Sequence, residues 1–300
     1  MIAATTATTT PVVAEFFGVF KPDPYWDERL IRAPLDKLNR LIVAFAPIVL
    51  RKDNQYSIDF QEPASNEERV KKLLGRVRLI NPTAQLHLSV GASQNNPLSF
   101  QDAAKDPNFA LNAKIFMEKF GFTGLDFDWE NYIQHDMVSL LATRVRQEFR
   151  SSGYLMTMDG GSSVSGQMYD MQKLKECLSF NAMTYGPYCD FQDGIQSYTD
   201  AGFPIGQINI GIESEYQNQF GMDTPGPNGS IVKKGTYALQ NGMEGGFEWR
   251  EENDDCDKKP NWPTFQCQLQ LWSTMTGEEL PRDKDGNFIE MTYEERHKKT

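Results

Sequence analysis

The sequence is poor in cysteine and histidine. Four cysteines in 300 residues are too few for a fold built on disulfides, and none of them lies in a Cys-x-x-Cys pair. Three histidines offer little to a zinc site, which normally draws its ligands from closely spaced Cys and His. We therefore expect an apolar core and a protein that works without a metal or a cofactor.

Long apolar runs and an excess of positive charge are also missing. No run approaches the roughly 18 apolar residues that a membrane helix needs, and 41 acidic against 30 basic residues give a net charge of −11. This balance argues against a nucleic acid or an anionic membrane as partner. No signal peptide is visible in the chain as given, so we expect secretion if a leader was removed and a cytoplasmic location otherwise.

Short apolar runs bounded by Gly, Asn, Asp and Pro alternate with helical patterns along most of the chain. The runs predict eight strands, at residues 12–20, 41–46, 85–91, 124–130, 155–158, 180–185, 207–211 and 245–249. Eight strand–helix units in about 250 residues are typical of a single (β/α)8 barrel, and a doubly wound sheet is the structural competitor.

Three regions are expected along the chain. Residues 1–10 form a loose Thr/Ala-rich arm, residues 11–277 form the catalytic barrel, and residues 278–300 form a charged C-terminal tail that we expect to be partly mobile. No linker divides the barrel into two domains.

The most informative segment is residues 121–130, GFTGLDFDWE. Because side chains of a strand alternate between its faces, Asp126, Asp128 and Glu130 point to one side and the apolar residues between them to the other. Three carboxylates would then face the barrel interior, where they need shared protons or a cation. Perturbed carboxylates of this kind concentrate at functional sites.

Two chemistries use such a row of carboxylates. One is divalent-metal binding in a nuclease or phosphohydrolase, which needs further acidic ligands, and only Asp159 and Glu213 are plausible. The other is glycoside hydrolysis, in which one carboxyl stays protonated as the general acid. Glu130 lies nearest the C-terminal end of its strand, so it is the candidate acid and Asp128 its partner.

The segment resembles the D-G-x-D-x-D-x-E signature of family 18 glycoside hydrolases, the chitinases and endo-β-N-acetylglucosaminidases. Weaker similarities follow in the family's order over residues 12–275: Ala44-Phe45-Ala46 on the second strand, QLHLSVGA at 85–92, Met183-Thr184-Tyr185 on the sixth strand and GGFEW at 245–249. The resemblance implies a (β/α)8 barrel, and the short spacing of strands seven and eight leaves no room for the extra α+β lobe of some members.

The resemblance also implies a mechanism in which the substrate's own 2-acetamido group attacks the anomeric carbon. Glu130 would protonate the leaving oxygen, Asp128 would orient the acetamido group, Asp126 would share a proton with Asp128, and Tyr185 would donate its hydroxyl to the acetamido oxygen. Sugar contacts are predicted for four residues at strand ends, Trp249, Phe45, Met183 and Phe20.

The implied activity is hydrolysis of β-1,4-linked N-acetylglucosamine glycans, chitin or chito-oligosaccharides, with retained configuration, by a monomer. The alternative is a catalytically silent carbohydrate-binding relative of the lectin, storage or inhibitor type. Loss of the acid or its Asp partner is common in such relatives, whereas Glu130 and Asp128 are both present here.

The sequence departs from the family pattern at three positions. Thr123 replaces the first acidic residue, Ala92 the second Gly of the third strand, and Gly186 the Asp that often follows the Tyr. We expect the Thr123 hydroxyl to hydrogen-bond Asp126.

Three further residues are weaker candidates. Tyr25 and Trp26 fall in a polar, Pro-containing loop, where exposed aromatic side chains suit sugar stacking. Asp159 is followed by Gly-Gly and is therefore interpreted as a possible turn residue.

Turnover of a chito-oligosaccharide is expected to continue in a chelator, because the carboxyls of residues 126–130 suit proton transfer and have no histidine ligands beside them in the sequence. The measurement is the release of reducing ends with and without EDTA. Loss of activity in EDTA, restored by a divalent ion, would replace this hypothesis with the metal-site one.

Overall fold

Eight parallel strands close into a barrel in the computed structural model, which describes residues 10–19, 26–60, 65–91, 98–130, 132–164, 169–185, 190–214, 223–254, 265–289 and 291–297. The barrel strands are β1 (Val12–Gly18), β2 (Arg40–Ala46), β5 (Gln85–Gly91), β6 (Gly124–Asp128), β7 (Leu155–Gly160), β8 (Ser179–Ala182), β9 (Ile208–Glu213) and β10 (Gly245–Trp249). Their order around the barrel is β1-β10-β9-β8-β7-β6-β5-β2. The predicted (β/α)8 barrel is confirmed, and the doubly wound sheet is excluded.

Helices lie between the strands in the described part of the chain. They are α1 (Trp26–Arg32), α2 (Ser65–Ile80), α3 (Leu98–Lys105), α4 (Phe109–Phe120), α5 (His135–Phe149), α6 (Met171–Leu174), α7 (Phe191–Asp200), α8 (Ser230–Gln240), α9 (Glu251–Asp254), α10 (Gln266–Thr276) and α11 (Tyr293–Arg296), with a 3-10 turn at Ile205–Gln207. Between β9 and β10 the described residues contain only α8. An antiparallel hairpin of β3 (Ile48–Leu50) and β4 (Tyr56–Ile58) follows β2.

The main core lies between the barrel and its helices. The α2 face that the sequence predicts, formed by Val70, Leu73, Leu74 and Val77, is buried there. Burial of each such side chain contributes about 1.5–3 kcal/mol before entropy costs. Inside the barrel, a smaller cluster of Ala14, Phe16, Ile42, Ala44 and Phe247 fills the space below the C-terminal mouth. The barrel is therefore packed rather than hollow.

The charged C-terminal segment packs on the barrel, although its composition predicts partial mobility. Phe288 is buried, and its backbone N–H and C=O both bond the side-chain amide of Gln266 on α10, at 2.7 and 3.0 Å. Arg76 on α2 forms a 2.6 Å ion pair with Glu294. Leu280 and Tyr293 also pack against the core, so apolar contacts and an ion pair together hold this polar segment. The arm predicted at residues 1–10 lies outside the described residues, apart from Thr10.

Four carboxyl groups are buried between the barrel and α9: Glu15, Glu248, Glu251 and Asp254. Register pairs Glu15 with Glu248 on neighbouring strands. Asp254 has a structural task, because its Oδ2 accepts the backbone N–H groups of Cys267 and Gln268 at 2.9 and 3.1 Å and so caps α10. Burial, followed by the charges of Glu248 and Glu251, raises the pKa of Glu15 well above its ordinary value of 4.5.

Replacing Glu15 with Gln is expected to stabilise the protein at neutral pH. Because the folded pKa of Glu15 is raised, its contribution to stability is present below about 4.5 and is lost as pH rises through the folded value. The neutral amide does not ionise and can donate to Glu248. Thermal unfolding between about pH 5 and 8 should show a higher Tm and a flatter pH dependence for Glu15→Gln.

Glu118→Gln is the matched control, since Glu118 is an exposed glutamate of α4. It should leave the pH dependence unchanged. A wild-type protein whose Tm increases steadily towards pH 8, in parallel with Glu15→Gln, would contradict this account.

Candidate active site

The carboxylate row of β6 faces the barrel interior. Leu125, Phe127 and Trp129 point outward into the helix layer, and Trp129 stacks on Phe100 of α3 with ring centroids 4.9 Å apart. This stacking holds the chain in place at the end of β6, just before Glu130. Glu130 comes next and is exposed.

Asp126 is the deepest member of the row and is fully buried. Three neutral donors reach its carboxyl: Ser89 Oγ at 2.5 Å, Thr157 Oγ1 at 2.6 Å and Asn181 Nδ2 at 3.1 Å. Burial raises the pKa of Asp126, while the hydrogen bonds from Ser89 and Thr157 lower it. The hydrogen bonds from the neighbouring strands thus offset the desolvation cost of burying this carboxyl group inside the barrel.

Asp128 lies between Asp126 and Glu130 and is also buried. Its Oδ1 has no hydrogen-bond partner among the described residues. Burial raises the pKa of Asp128 well above its ordinary value, and the charges of Glu130 and Asp126 and a side-chain contact with Glu130 raise it further. Asp128 is therefore a buried carboxyl in contact with the exposed Glu130, in surroundings that oppose its ionisation.

Asp159 joins the same cluster from β7. It lies within the strand and is buried, so its interpretation as a turn residue is wrong. Asn181 on β8 bridges the two aspartates, because its Nδ2 donates to Asp126 and, at 3.0 Å, to Asp159 Oδ1. Burial and then the charges of Asp126 and Asp128 raise the pKa of Asp159 well above its ordinary value.

Two tyrosine hydroxyls lie near these acids. Burial, followed by the charges of Glu213, Asp159 and Asp128, raises the pKa of Tyr185 well above its ordinary value, so the phenol stays neutral. Gly211 on β9 makes room for this ring, because a Cβ there would lie 2.9 Å from Tyr185 Cε1. Tyr169 was not predicted from the sequence. It is buried, its hydroxyl has no partner among the described residues, and burial and the charges of Asp128 and Asp159 raise its pKa.

An aromatic platform borders the mouth on the opposite side of the barrel. Trp249 ends β10, is half-buried, stacks on Phe45 with centroids 5.6 Å apart, and meets Phe16 edge-on at 5.6 Å. Met183 is half-buried against the same interior cluster. Three of the four predicted sugar contacts therefore lie around one opening, and the fourth, Phe20, is outside the described residues.

Two expectations about individual residues are wrong. Thr123 does not contact Asp126. Its hydroxyl accepts the Leu86 N–H at 2.9 Å, because residues three apart along a strand face opposite sides. Trp26 is not an exposed loop residue but begins α1, buried against Phe17 with its indole N–H donated to the carbonyl of Gly18. Tyr25, Ala92 and Gly186 lie outside the described residues.

A chain of polar contacts links the acids to the N-terminal end of the barrel. Asn181 Oδ1 accepts from Asn209 at 3.2 Å, Asn209 donates to Glu244 at 3.1 Å, and Glu244 pairs with Arg40 at 2.9 Å. The charge of Arg40 also lowers the pKa of Asp126. The interior is therefore polar from one end to the other along β8 and β9.

The described residues contain no group of three or more His, Cys, Asp and Glu side chains arranged to hold a metal ion. Within the same residues, no helix has the length and apolar character needed to span a membrane.

A closed barrel with a row of carboxyls and an aromatic platform at its C-terminal mouth is the architecture of many glycoside hydrolases. The sequence model of glycosyl hydrolases family 18 matches residues 21–225, more than half of the chain. The chain belongs to this family. No curated protein sequence matches it significantly.

Solved structures of the family share the fold. A class V chitinase mutant from Nicotiana tobaccum in complex with NAG4 has a TM-score of 0.69 at 17% identity, over 88% of this chain and 99% of that one. Catalytic domain 2 of a group II chitinase of Ostrinia furnacalis, a mutant in complex with an N-acetylchitooligosaccharide, gives 0.73 at 13%, over 94% and 99%. A chitinase-like agglutinin of Robinia pseudoacacia gives 0.67 at 18%, over 86% and 99%.

Replacing Asn181 with Leu is expected to lower the free energy of unfolding by about 1–3 kcal/mol, because two buried carboxyls lose a donor while the volume is kept. Urea unfolding near neutral pH measures this loss. Thr157→Val is the control and should cost less, since it removes one donor from Asp126 and a 3.4 Å contact with His87 but leaves the hydrogen bond to Asp159 in place. Equal losses in the two variants would show that the bridge to Asp159 adds nothing.

Proposed function

We propose that the protein hydrolyses β-1,4-linked N-acetylglucosamine glycans, chitin or chito-oligosaccharides, by a retaining mechanism in which the substrate's acetamido group is the nucleophile. The observation that carries the proposal is the arrangement on β6. Glu130 is exposed at the mouth, and the buried Asp128 and Asp126 lie behind it.

The proposal places the scissile bond above this row. The apolar face of a pyranose ring would stack on Trp249, whose ring is held by the stacked Phe45 and by an edge contact with Phe16. The neutral hydroxyl of Tyr185 would donate to the acetamido oxygen, and Asp128 would accept the acetamido N–H through an oxygen that has no partner among the described residues. Substrate-assisted hydrolases of this family are an exception to the rule of two enzymatic carboxylates.

The first chemical step in this proposal is proton transfer from Glu130 to the glycosidic oxygen. As that bond breaks, the acetamido oxygen bonds to the anomeric carbon and a cyclic oxazolinium ion forms. Its positive charge develops beside Asp128, which is stabilising because the buried carboxyl is already in place and need not reorganise.

The second step reverses the roles of the groups. Glu130, now a carboxylate, takes a proton from water as the water oxygen attacks the anomeric carbon. The oxazolinium ring opens, the acetamido group is restored, and the product keeps the configuration of the substrate. Glu130 ends the cycle protonated, so no proton is gained or lost overall.

The second candidate is a carbohydrate-binding protein without activity. A chitinase-like agglutinin is among the solved structures of the same fold, so binding alone cannot decide the matter. The presence of Glu130, Asp128 and Tyr185 together favours activity, because a sugar-binding role has no need for a proton donor at the mouth.

Glu130→Gln is expected to lower turnover by roughly 10²–10⁴-fold, because the amide keeps the size of the side chain but cannot deliver a proton. Binding should persist, since stacking on Trp249 and the Tyr185 hydrogen bond do not involve that carboxyl. The measurements are product formation from an N-acetylglucosamine oligosaccharide, with the anomer identified by NMR, and binding by calorimetry.

Glu279→Gln is the control, because Glu279 is an exposed glutamate in the C-terminal segment, and its turnover should equal that of the wild type. Wild-type binding without turnover would assign the protein to the silent class. Turnover by Glu130→Gln near the wild-type rate would remove Glu130 from the role of acid.

A further inference from the structure

Asp159 is a fourth carboxyl at the mouth and lies across from Asp128. The β6–β7 register pairs Phe127 with Met158, so the next pair in line is Asp128 with Asp159. On its other side Asp159 pairs with Asn181, which donates to its carboxyl at 3.0 Å. Neighbouring strands lie about 4.8 Å apart, so the two aspartates share one corner of the barrel.

We propose that Asp159 forms a wall of the pocket that receives the substrate's acetamido group, and that Asp159 must carry a proton for that group to bind. This inference rests on the proposed function. It makes Asp159 a specificity-determining residue that couples sugar binding to proton uptake.

The surroundings of Asp159 place it in that pocket. Its charge acts on the Tyr185 phenol, which the proposed function assigns to the acetamido oxygen, and on Asp128, which it assigns to the acetamido N–H. Asp159 therefore lies among the groups that would surround the acetamido methyl. An ionised carboxylate against a methyl group, with water displaced, has no partner to offset its desolvation.

Charge repulsion decides which carboxyl keeps its negative charge. Two adjacent buried carboxyls cannot both be ionised once a sugar has displaced the water above them. Asp128 must be the charged one, because it accepts the acetamido N–H and faces the developing cation. The proton consequently resides on Asp159, where it leaves Oδ1 free to keep accepting from Asn181.

Among the described residues, the ionisable groups that interact with Asp159 are acids and phenols: Asp126 and Asp128 on β6, Tyr169 before α6 and Tyr185 after β8. The next groups outward are also acids, because Glu130 acts on Asp128 and Glu213 acts on Tyr185. No ion pair among the described residues reaches Asp159. The nearest cation in the network is Arg40, which acts on Asp126 and pairs with Glu244. A proton is therefore the available means of neutralising Asp159.

The test measures binding and proton uptake together. Glu130→Gln serves as the parent, so that the N-acetylglucosamine tetrasaccharide used as ligand is not consumed. Calorimetric titrations run from about pH 5 to 8, in pairs of buffers with different ionisation enthalpies, which gives the number of protons taken up. The parent is compared with Glu130→Gln/Asp159→Asn and Glu130→Gln/Asp128→Asn.

The parent is expected to take up no proton at pH values below the pKa of Asp159 in the free protein. Above that pKa it should take up close to one proton and lose affinity by up to about tenfold per pH unit. The Asp159→Asn variant should bind without proton uptake and with a flat pH profile, because the amide is always neutral and its oxygen can still accept from Asn181. A purely structural role would lower affinity equally at every pH. Thermal unfolding checks that the variant is folded, and Asp159→Ala should give the same flat profile.

Two results would overturn the inference alone: proton uptake that persists in Asp159→Asn, or proton uptake that disappears only in Asp128→Asn. The proposed function would survive both. A parent that fails to bind the tetrasaccharide at any pH would overturn the proposed function and this inference together.

Discussion

The burial of like-charged carboxyl groups on the inner face of β6 is the constraint on which the rest of the structure depends. Asp126 can lie fully inside the barrel because Ser89, Thr157 and Asn181, each from a different strand, direct a neutral donor at it. Removal of these donors would leave an acid in an apolar interior. Positions 89, 157 and 181 on the strands around β6 therefore require polar side chains, and apolar side chains cannot pack there.

The same constraint explains why the opposite face of β6 is so heavily aromatic. A strand that carries two acids inward, Asp126 and Asp128, obtains no apolar burial from them, so its attachment comes from the helix layer. Trp129 stacks on Phe100 and, with Phe127, belongs to the main core. The alternation that places the acids together is therefore also what holds the strand in place. Within residues 126–130, the acids that would carry the chemistry thus alternate with the aromatic residues that anchor the strand.

The sequence alone was sufficient for what depends on local period and chain order. The inward row of Asp126 and Asp128 follows from strand alternation. Eight strand–helix units are compatible with a barrel or a doubly wound sheet, and the family resemblance is what favours the barrel. Contacts between side chains on different strands could not be predicted from the sequence. Asp159 precedes two glycines and therefore resembles a turn residue, yet it lies in β7. Gly160 is a packing requirement rather than a turn signal, because a Cβ there would collide with the Tyr198 hydroxyl. Tyr169 reaches the acids from a connecting segment, a position that no periodicity encodes.

The polar chain from Asp126 to the N-terminal end of the barrel has a consequence for how variation there is understood. In barrels of this kind the N-terminal end is usually associated with stability and the C-terminal end with chemistry. Here Glu244, the residue before β10, is connected to the acids through Asn209 and Asn181 by contacts of 3.1–3.2 Å. A change of charge at this distant rim would be transmitted electrostatically to the interior. The two ends of this barrel are therefore not independent, and natural variation at Arg40 or Glu244 would alter the acidity of a site on the far side of the molecule.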